Sequence, residues 1–248
     1  MRIFAIGDPH LSFGRPKPMD VFGELWRDHP ARLAEAWDRS VADDDVVLVV
    51  GDISWARTPA EAVPDLDFLA RRRGRLKVLI RGNHDSWWKS AAKVRGLLPA
   101  GMAAIHHDAL RLDEGVVLCG ARGWSLPSMP WSDPDRDPAI YRRELGRLDL
   151  SLAAAGRLRR PGDALVALLH YPPLGPDAAP GQAGEVLERL GRAGVVVAAY
   201  GHLHGADHRW APRGEIGGVM LRFVAADYTG FAPRLVWSPE SGPVDEPE

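Results

Sequence analysis

The residues of this 248-residue chain whose types and spacing could do chemistry are Asp8 with His10, Asp52, Asn83 with His84, His170, and His202 with His204. Each group directly follows a short apolar run, at 2–6, 45–50, 76–80, 163–169 and 195–200. Such runs, aliphatic and rich in β-branched residues, predict buried strands. Taken singly, an Asp or His after a strand is an ordinary polar turn. Five repeats of one placement mean more, because neighbouring strand ends lie ~5 Å apart and can converge on a pocket. Alternate residues of an extended segment point the same way, so both members of Asp8-x-His10 and of His202-x-His204 can reach one site. The donors are carboxylate, imidazole and amide oxygen without thiolate, a set that suits manganese, iron or zinc rather than a structural zinc or soft-metal centre. Eight such groups are too many for one tetrahedral ion and enough for two. A pair of ions ~3.5–4 Å apart is the standard device for in-line displacement at phosphorus.

The elements that must position these residues alternate strand with helix, which predicts an α/β fold. Leu33, Ala36 and Trp37 at i, i+3, i+4 predict a helix over 32–41. Thr58-Pro59 with Glu61 has the form of a helix start. Further helices are expected over 90–98, 137–155 and 182–192, and two or three strands within 103–120. Late strands at 219–225 and 234–237 have no helices between them, so the sheet is mixed. Gly82-Asn83 predicts a tight turn, since both residues tolerate positive φ. Residues 12–30 lack periodicity and read as a loop. So do 122–138, and this long aperiodic segment with Trp124 and Trp131 is the expected lid. Residues 1–238 are expected to form a single domain, with a frayed tail from 239 rich in Pro and acid.

Composition narrows the function. Net charge is −2, which gives no general drive toward nucleic acid or anionic membrane. Arg71, Arg72, Arg73 and Arg75 gather at an expected helix end, where cations favour the dipole. The one cysteine, Cys119, excludes an intrachain disulfide and a cysteine-based zinc site, and its apolar surroundings predict a buried thiol. No run approaches the ~20 apolar residues of a membrane span, and the short first run does not make a signal peptide; the expected compartment is the cytoplasm. Of nine tryptophans, Trp55, Trp87, Trp88, Trp124 and Trp131 follow motif strands or lie in 122–138. They either pack loops onto the sheets or form an aromatic wall above the metals. His29, His106, His107 and His208 belong to no motif, and His208 is nearest to one.

Asp8-x-His10, Gly51-Asp52, Gly82-Asn83-His84-Asp85, His170 and Gly201-His202-x-His204 resemble, in order, the five motifs of the calcineurin-like metallophosphoesterase superfamily. The resemblance runs from residue 8 to 204. It implies a four-layer fold, two mixed β-sheets in a sandwich flanked by helices, with a di-metal centre at strand ends. The cofactors it implies are two divalent transition-metal ions, Mn2+ first, with Fe or Zn as alternatives. Asp8, His10, Asp52 and His204 would hold one ion and Asp52, Asn83, His170 and His202 the other, so that Asp52 bridges. A hydroxide between the ions would attack phosphorus, and His84, not a ligand, would stabilise the phosphoryl oxygens and protonate the leaving alkoxide. One position departs. In the protein-phosphatase branch an Asp three residues after the Gly-Asp aspartate orients that histidine, and here it is Trp55. The expected activity is hydrolysis of a phosphomonoester or phosphodiester bond in a small organic phosphate or nucleotide. A nuclease on single-stranded nucleic acid and a non-catalytic protein-binding scaffold are the alternatives.

Overall fold

The computed structural model describes residues 1–129, 131–175 and 184–245. Among the described residues twelve strands form two sheets, β1 (Ile3–Ile6), β2 (Val46–Val50), β3 (Leu76–Ile80), β4 (Met102–Ala104), β5 (Ala109–Leu112), β6 (Val116–Ala121), β7 (Ala164–Leu169), β8 (Val195–Tyr200), β9 (Gly214–Ile216), β10 (Val219–Phe223), β11 (Arg234–Ser238) and β12 (Gly242–Pro243). The helices are α1 (His29–Ser40), α2 (Pro59–Ala70), α3 (Ala91–Arg95), α4 (Asp137–Leu158) and α5 (Glu185–Ala193). One sheet has the order β12-β11-β1-β2-β3-β4, the other β5-β6-β7-β8-β10-β9. Both are mixed, as expected, and helices cover their outer faces.

Period-2 alternation inside the apolar runs explains the layering. Ile3, Val46, Leu48, Val78, Leu118, Val166 and Val197 meet between the sheets. Their strand neighbours Phe4, Val47, Val49 and Leu79 face outward onto Leu33 and Trp37 of α1 and Leu66 and Leu69 of α2. On the second sheet, Val117, Cys119, Leu165 and Ala167 face Leu145 and Leu148 of α4 and Leu187 and Leu190 of α5. Strands sandwiched on both faces therefore need no polar positions. Cys119 is buried, as expected.

Several boundaries move. Pro30 sits in the first turn of α1, which therefore begins at His29 rather than 32. The aperiodic 12–30 segment contains two 3-10 turns, Asp20–Phe22 and Glu24–Trp26. Residues 103–120 hold three strands, and α3 is short. Residues 182 and 183 of an expected helix lie outside the described residues, as does Pro130 within 122–138. The stretch expected to fray from 239 adds a strand instead, with Trp237 paired to Pro243, and Arg222 donates to the Val244 carbonyl at 2.6 Å. Residues 246–248 lie outside the described residues. The arginine cluster is not a free cap. Arg72 pairs with Asp38, Arg73 with Asp43 at 2.9 Å and Arg75 with Glu114 at 2.6 Å. The closing carbonyls beyond α2 go to Lys77, whose Nζ donates to Arg72 at 2.5 Å and Gly74 at 2.8 Å.

What matters for function is direction. β1, β2 and β3 run parallel, as do β6, β7, β8 and β10. An isolated bridge from Gly7 to Ala225 joins the sheets where these strands end. One end of the sandwich thus collects the residues that follow every parallel strand.

Candidate functional site

Glycines let the strand-end loops meet. A Cβ on Gly82 would lie 2.1 Å from both the backbone nitrogen and Oδ1 of Asp52, and one on Gly201 would lie 2.1 Å from Oδ2 of Asp8. Neither glycine has positive φ, so they are needed for close approach rather than for the turn predicted at Gly82-Asn83. The left-handed residues are instead Asp8, His10, Asp52 and His202, with φ of 57°, 44°, 48° and 77°. A non-glycine residue held there stores strain of order 1–3 kcal/mol, and such strain gathers at functional sites. The close approach lets the loops fix each other's carboxylates. The His202 N–H donates to Asp8 Oδ2 at 2.9 Å, and the His84 N–H to Asp52 Oδ1 at 2.7 Å.

The side chains then converge. His10 Nε2 lies 3.3 Å from His204 Nε2 and 3.9 Å from Asp52 Oδ2, and His204 Nε2 is 3.9 Å from Asp8 Oδ1. On the other side, His170 Nε2 is 2.6 Å from Asn83 Oδ1 and 3.5 Å from Asp52 Oδ1. The His202 ring meets that of His170 edge-on, 5.0 Å between centroids. His170 Nδ1 donates to the Val50 carbonyl at 3.0 Å, which leaves Nε2 free to act as a ligand. Asp8, His10 and His204 form one group that could hold an ion, and Asp8, Asp52 and His170 a second. Asp8 is common to both groups, and Asp52 of the second also approaches His10 of the first.

Charge tells the same story. Asp8 and Asp52 are buried, and Oδ1 of Asp8 has no hydrogen-bond partner among the described residues. Burial pushes both carboxyls above their ordinary range, and the nearby charge of Asp52 raises Asp8 further. Burial, then the neighbouring imidazoles, holds His10 and His202 low, and burial takes His170 down to about 3. Buried carboxylates beside imidazoles held neutral, with an orphaned oxygen among them, make a donor set suited to cations. The residues fit a pair of divalent ions.

The sequence matches the calcineurin-like phosphoesterases over residues 1–206. The chain belongs to that family. Two curated relatives are short matches, each a "Gene 66 protein". That of Mycobacterium phage D29 is 50% identical over 58 residues, 23% of this chain and 28% of its own length. That of Mycobacterium phage L5 is 38% identical over 78 residues, 32% of this chain and 37% of its own length. The aligned stretches thus span about a third of those relatives. The fold matches that of the protein TT1561 of Thermus thermophilus with a TM-score of 0.58, 13% identity and coverage of 89% of this chain and 87% of the other.

Within this phosphoesterase frame three residues take parts that their sequence context leaves open. Asp227 follows β10 and accepts from His204 Nδ1 at 2.9 Å, the Gly205 N–H at 3.0 Å and His208 Nε2 at 3.1 Å. Burial lowers the His204 pKa, but the hydrogen bond to Asp227 and then the charge of Asp8 outweigh it and raise it to about 9. His208, placed nearest to a motif, thus belongs to the site's outer ring. Asp85 is buried and gathers four donors, the N–H groups of Ile53, Ser54 and Gly82 and the indole of Trp87, at 2.7–3.1 Å. It ties the loop after β2 to the loop after β3. Trp55 stands where an orienting Asp occurs in the protein-phosphatase branch. Its ring lies 4.5 Å from that of His84 and stacks on His10 at 5.0 Å.

Of the five tryptophans expected in an aromatic wall, Trp55 does line a cavity beside the site, and the rest of that wall comes from elsewhere. Trp87 and Trp88 are core residues, each 1% exposed. Trp124 packs on Tyr171 and donates to Asp137 at 2.9 Å. A cavity of about 650 Å3 adjoins His10, His84 and His204, and its other walls include Lys17, Met19, Phe22, Leu25, Trp26 and Trp55. The segment over the site is therefore 17–26, and no described residue of 122–138 lines this cavity.

Proposed function

We propose that this protein is a two-metal phosphoesterase that cleaves a small phosphorylated molecule carrying an apolar or planar group. The observation that carries the reading is the position of His84, 45% exposed, between the ligand-type residues and the aromatic cavity. Asp8, His10, Asp52, Asn83, His170, His202 and His204 would hold two transition-metal ions, manganese first, with iron or zinc as alternatives. When bound, the ions would supply Lewis acidity to the phosphoryl group and acidify water.

The remaining work falls to the chain's own side chains. Asp8 and Asp52 bring the negative charge that a pair of close cations needs. His84 is held by its backbone hydrogen bond to Asp52, and its imidazole faces the cavity as the proton donor to the leaving oxygen. The Trp55 and Trp26 rings and the Phe22 and Leu25 side chains accept the leaving group's body. Lys17, whose Nζ lies 3.5 Å from the centre of the Trp55 ring, carries the one fixed positive charge among the lining residues. That is too little positive charge for a nucleic-acid track. The compartment proposed is the cytoplasm.

A substrate panel on manganese-reconstituted protein tests the reading. Aryl phosphomonoesters, phosphodiesters, nucleotides, methyl phosphate and single-stranded DNA are compared at one metal loading. The expected result is highest kcat/KM on aromatic or nucleotide esters. Hydrolysis of DNA alone, or of nothing, overturns it.

A further inference from the structure

A second cavity, of about 80 Å3, opens where the ends of β3 and β6 face each other across the sandwich. None of the seven ligand-type residues lines it. Four fixed cations, Arg81, Lys89, Arg122 and Arg147, face a single carboxylate, Glu144. Glu144 is 1% exposed and pairs through Oε1 with Arg122 at 2.7 Å and Arg147 at 2.6 Å. One negative charge thus meets four positive ones. Like charges crowded this way cost free energy unless an anion joins them.

The polar atoms left over say which anion. Among the described residues the Nε atoms of Arg81 and Arg122 are buried without hydrogen-bond partners, and so is Oε2 of Glu144. Planar guanidinium forks match tetrahedral oxyanions. The free carboxylate oxygen needs a donor, and a monoprotonated phosphate carries an O–H where sulfate at neutral pH carries none. His106 and His107 complete the wall. The Trp88 indole donates to His106 Nδ1 at 2.8 Å, so the neutral ring presents Nε2–H as a further donor. Burial, then its His106 neighbour and Arg147, holds His107 down at about 4. The volume is several times the ~10–15 Å3 that one water needs, room for a tetrahedral oxyanion.

We infer that this cavity is an oxyanion site, separate from the metal centre, that takes a monoprotonated phosphate group. The group is either free phosphate or a second phosphoryl group of the substrate. The Arg122 carbonyl accepts the N–H of both His170 and Tyr171, so the cavity adjoins the loop that carries a ligand-type residue.

Calorimetry on the metal-loaded protein at pH 7 tests this with inorganic phosphate and, in parallel, sulfate. Two phosphate equivalents per chain are expected, and only the metal-centre one should disappear in Asp52→Asn. Arg147→Gln should weaken the other about tenfold to a hundredfold, the cost of a lost charge-assisted hydrogen bond, with metal content unchanged. Lys89→Gln, exposed and outside any ion pair among the described residues, should weaken it in the same direction if Arg147→Gln fails to fold. Glu144→Gln should erase the preference for phosphate over sulfate. A raised KM in Arg147→Gln confined to substrates with two phosphoryl groups identifies the site's ligand as substrate. Equal KM values with the phosphate equivalent lost identify it as free phosphate. Binding needs no turnover, so a failed hydrolysis assay leaves this result readable. A single phosphate equivalent, untouched by Arg147→Gln and Lys89→Gln, overturns the site, as does equal binding of sulfate by the unaltered protein.

Discussion

His84 and Asp227 both line the aromatic cavity and do different work. His84 Nε2 is 3.9 Å from Asp52 Oδ2 and opens onto the aromatic cavity, so its loss should fall on proton transfer and not on metal. An alkoxide needs a proton to leave, and general acid help is typically worth ~10²–10⁴ in rate. His84→Ala should cost about that on alkyl phosphates. Nitrophenolate leaves without a proton, so nitrophenyl esters should lose only phosphoryl stabilisation, ~10-fold to 10³-fold by analogy with a removed oxyanion donor. Parallel kinetics on the two ester types and elemental analysis check this, and equal slowing or metal loss would refute it. Asp227 fixes the His204 tautomer through Nδ1, so that Nε2 faces the donors. Asp227→Asn should weaken metal binding about tenfold to a hundredfold, the usual effect of losing such a partner, measured by competition with a chelator. The clustered carboxylate, amide and imidazole residues are legible in the sequence because ligand-type residues immediately after buried strands are rare. Asp227 is not, since Ala225-Ala226-Asp227-Tyr228 looks like any polar turn. Its one signal is position, an acid soon after another parallel strand.

At the level of elements, the strands and their common polar edge are readable, whereas the covering segment is not. Short continuous apolar runs announce strands because burial on both faces leaves no polar positions. Short 3-10 turns have no such period, so 17–26 looks structureless in the sequence, and tryptophan content points to 122–138 instead. There the indole of Trp124 serves packing, with its N–H taken by the carboxylate at the start of α4. The two segments make opposite predictions. Phe22, 57% exposed, lines the cavity without supporting the core. Phe22→Ala should raise KM for aryl esters about tenfold, the scale of a lost partly buried aromatic contact, while methyl phosphate changes little. Trp124→Phe should lower Tm modestly through the lost hydrogen bond and leave relative rates across the panel unchanged. A common factor on all substrates for Phe22→Ala would remove 17–26 from substrate choice. The close approach at Gly82 is also hidden, because a Gly-Asn pair signals a turn equally well. Gly82→Ala would push its methyl into Asp52 and should abolish metal loading, a result read directly by elemental analysis.

Over the whole molecule, the site sets function against stability. The sandwich is tightly buried on three apolar layers. Its open end nonetheless holds Asp8 and Asp52 inside the protein, with no lysine or arginine paired to either among the described residues. Burial raises both carboxyls, and burial with the nearby charge of Asp52 takes Asp85 up to about 7. An acid whose folded pKa is raised adds stability below the unfolded value, near 4, and loses it as pH climbs through the folded value. Without metal, these carboxyls should therefore destabilise the fold progressively between about pH 4 and pH 7. Divalent ions reverse this, since they bind the ionised form and only the folded chain presents the cluster. Ions at a thousand times their Kd contribute about 4 kcal/mol. For a domain of this size that corresponds to about 8–16 °C in Tm. Asp52→Asn should then change sign with metal. In manganese it should melt below the unaltered protein, because it has lost an anion placed between cations. In chelator it should melt a few degrees above it, because a buried like charge beside Asp8 is gone. Histidines with depressed pKa act in the opposite pH direction and are present in both proteins, while His204, held up at about 9, acts in the same direction as the carboxyls. The chelator difference should accordingly grow between about pH 5 and about pH 8. Scanning calorimetry of both proteins at these two pH values, with and without metal, decides the matter. If Asp52→Asn melts lower in chelator as well, the two carboxylates are stabilised by the chain itself and are not a site built for cations.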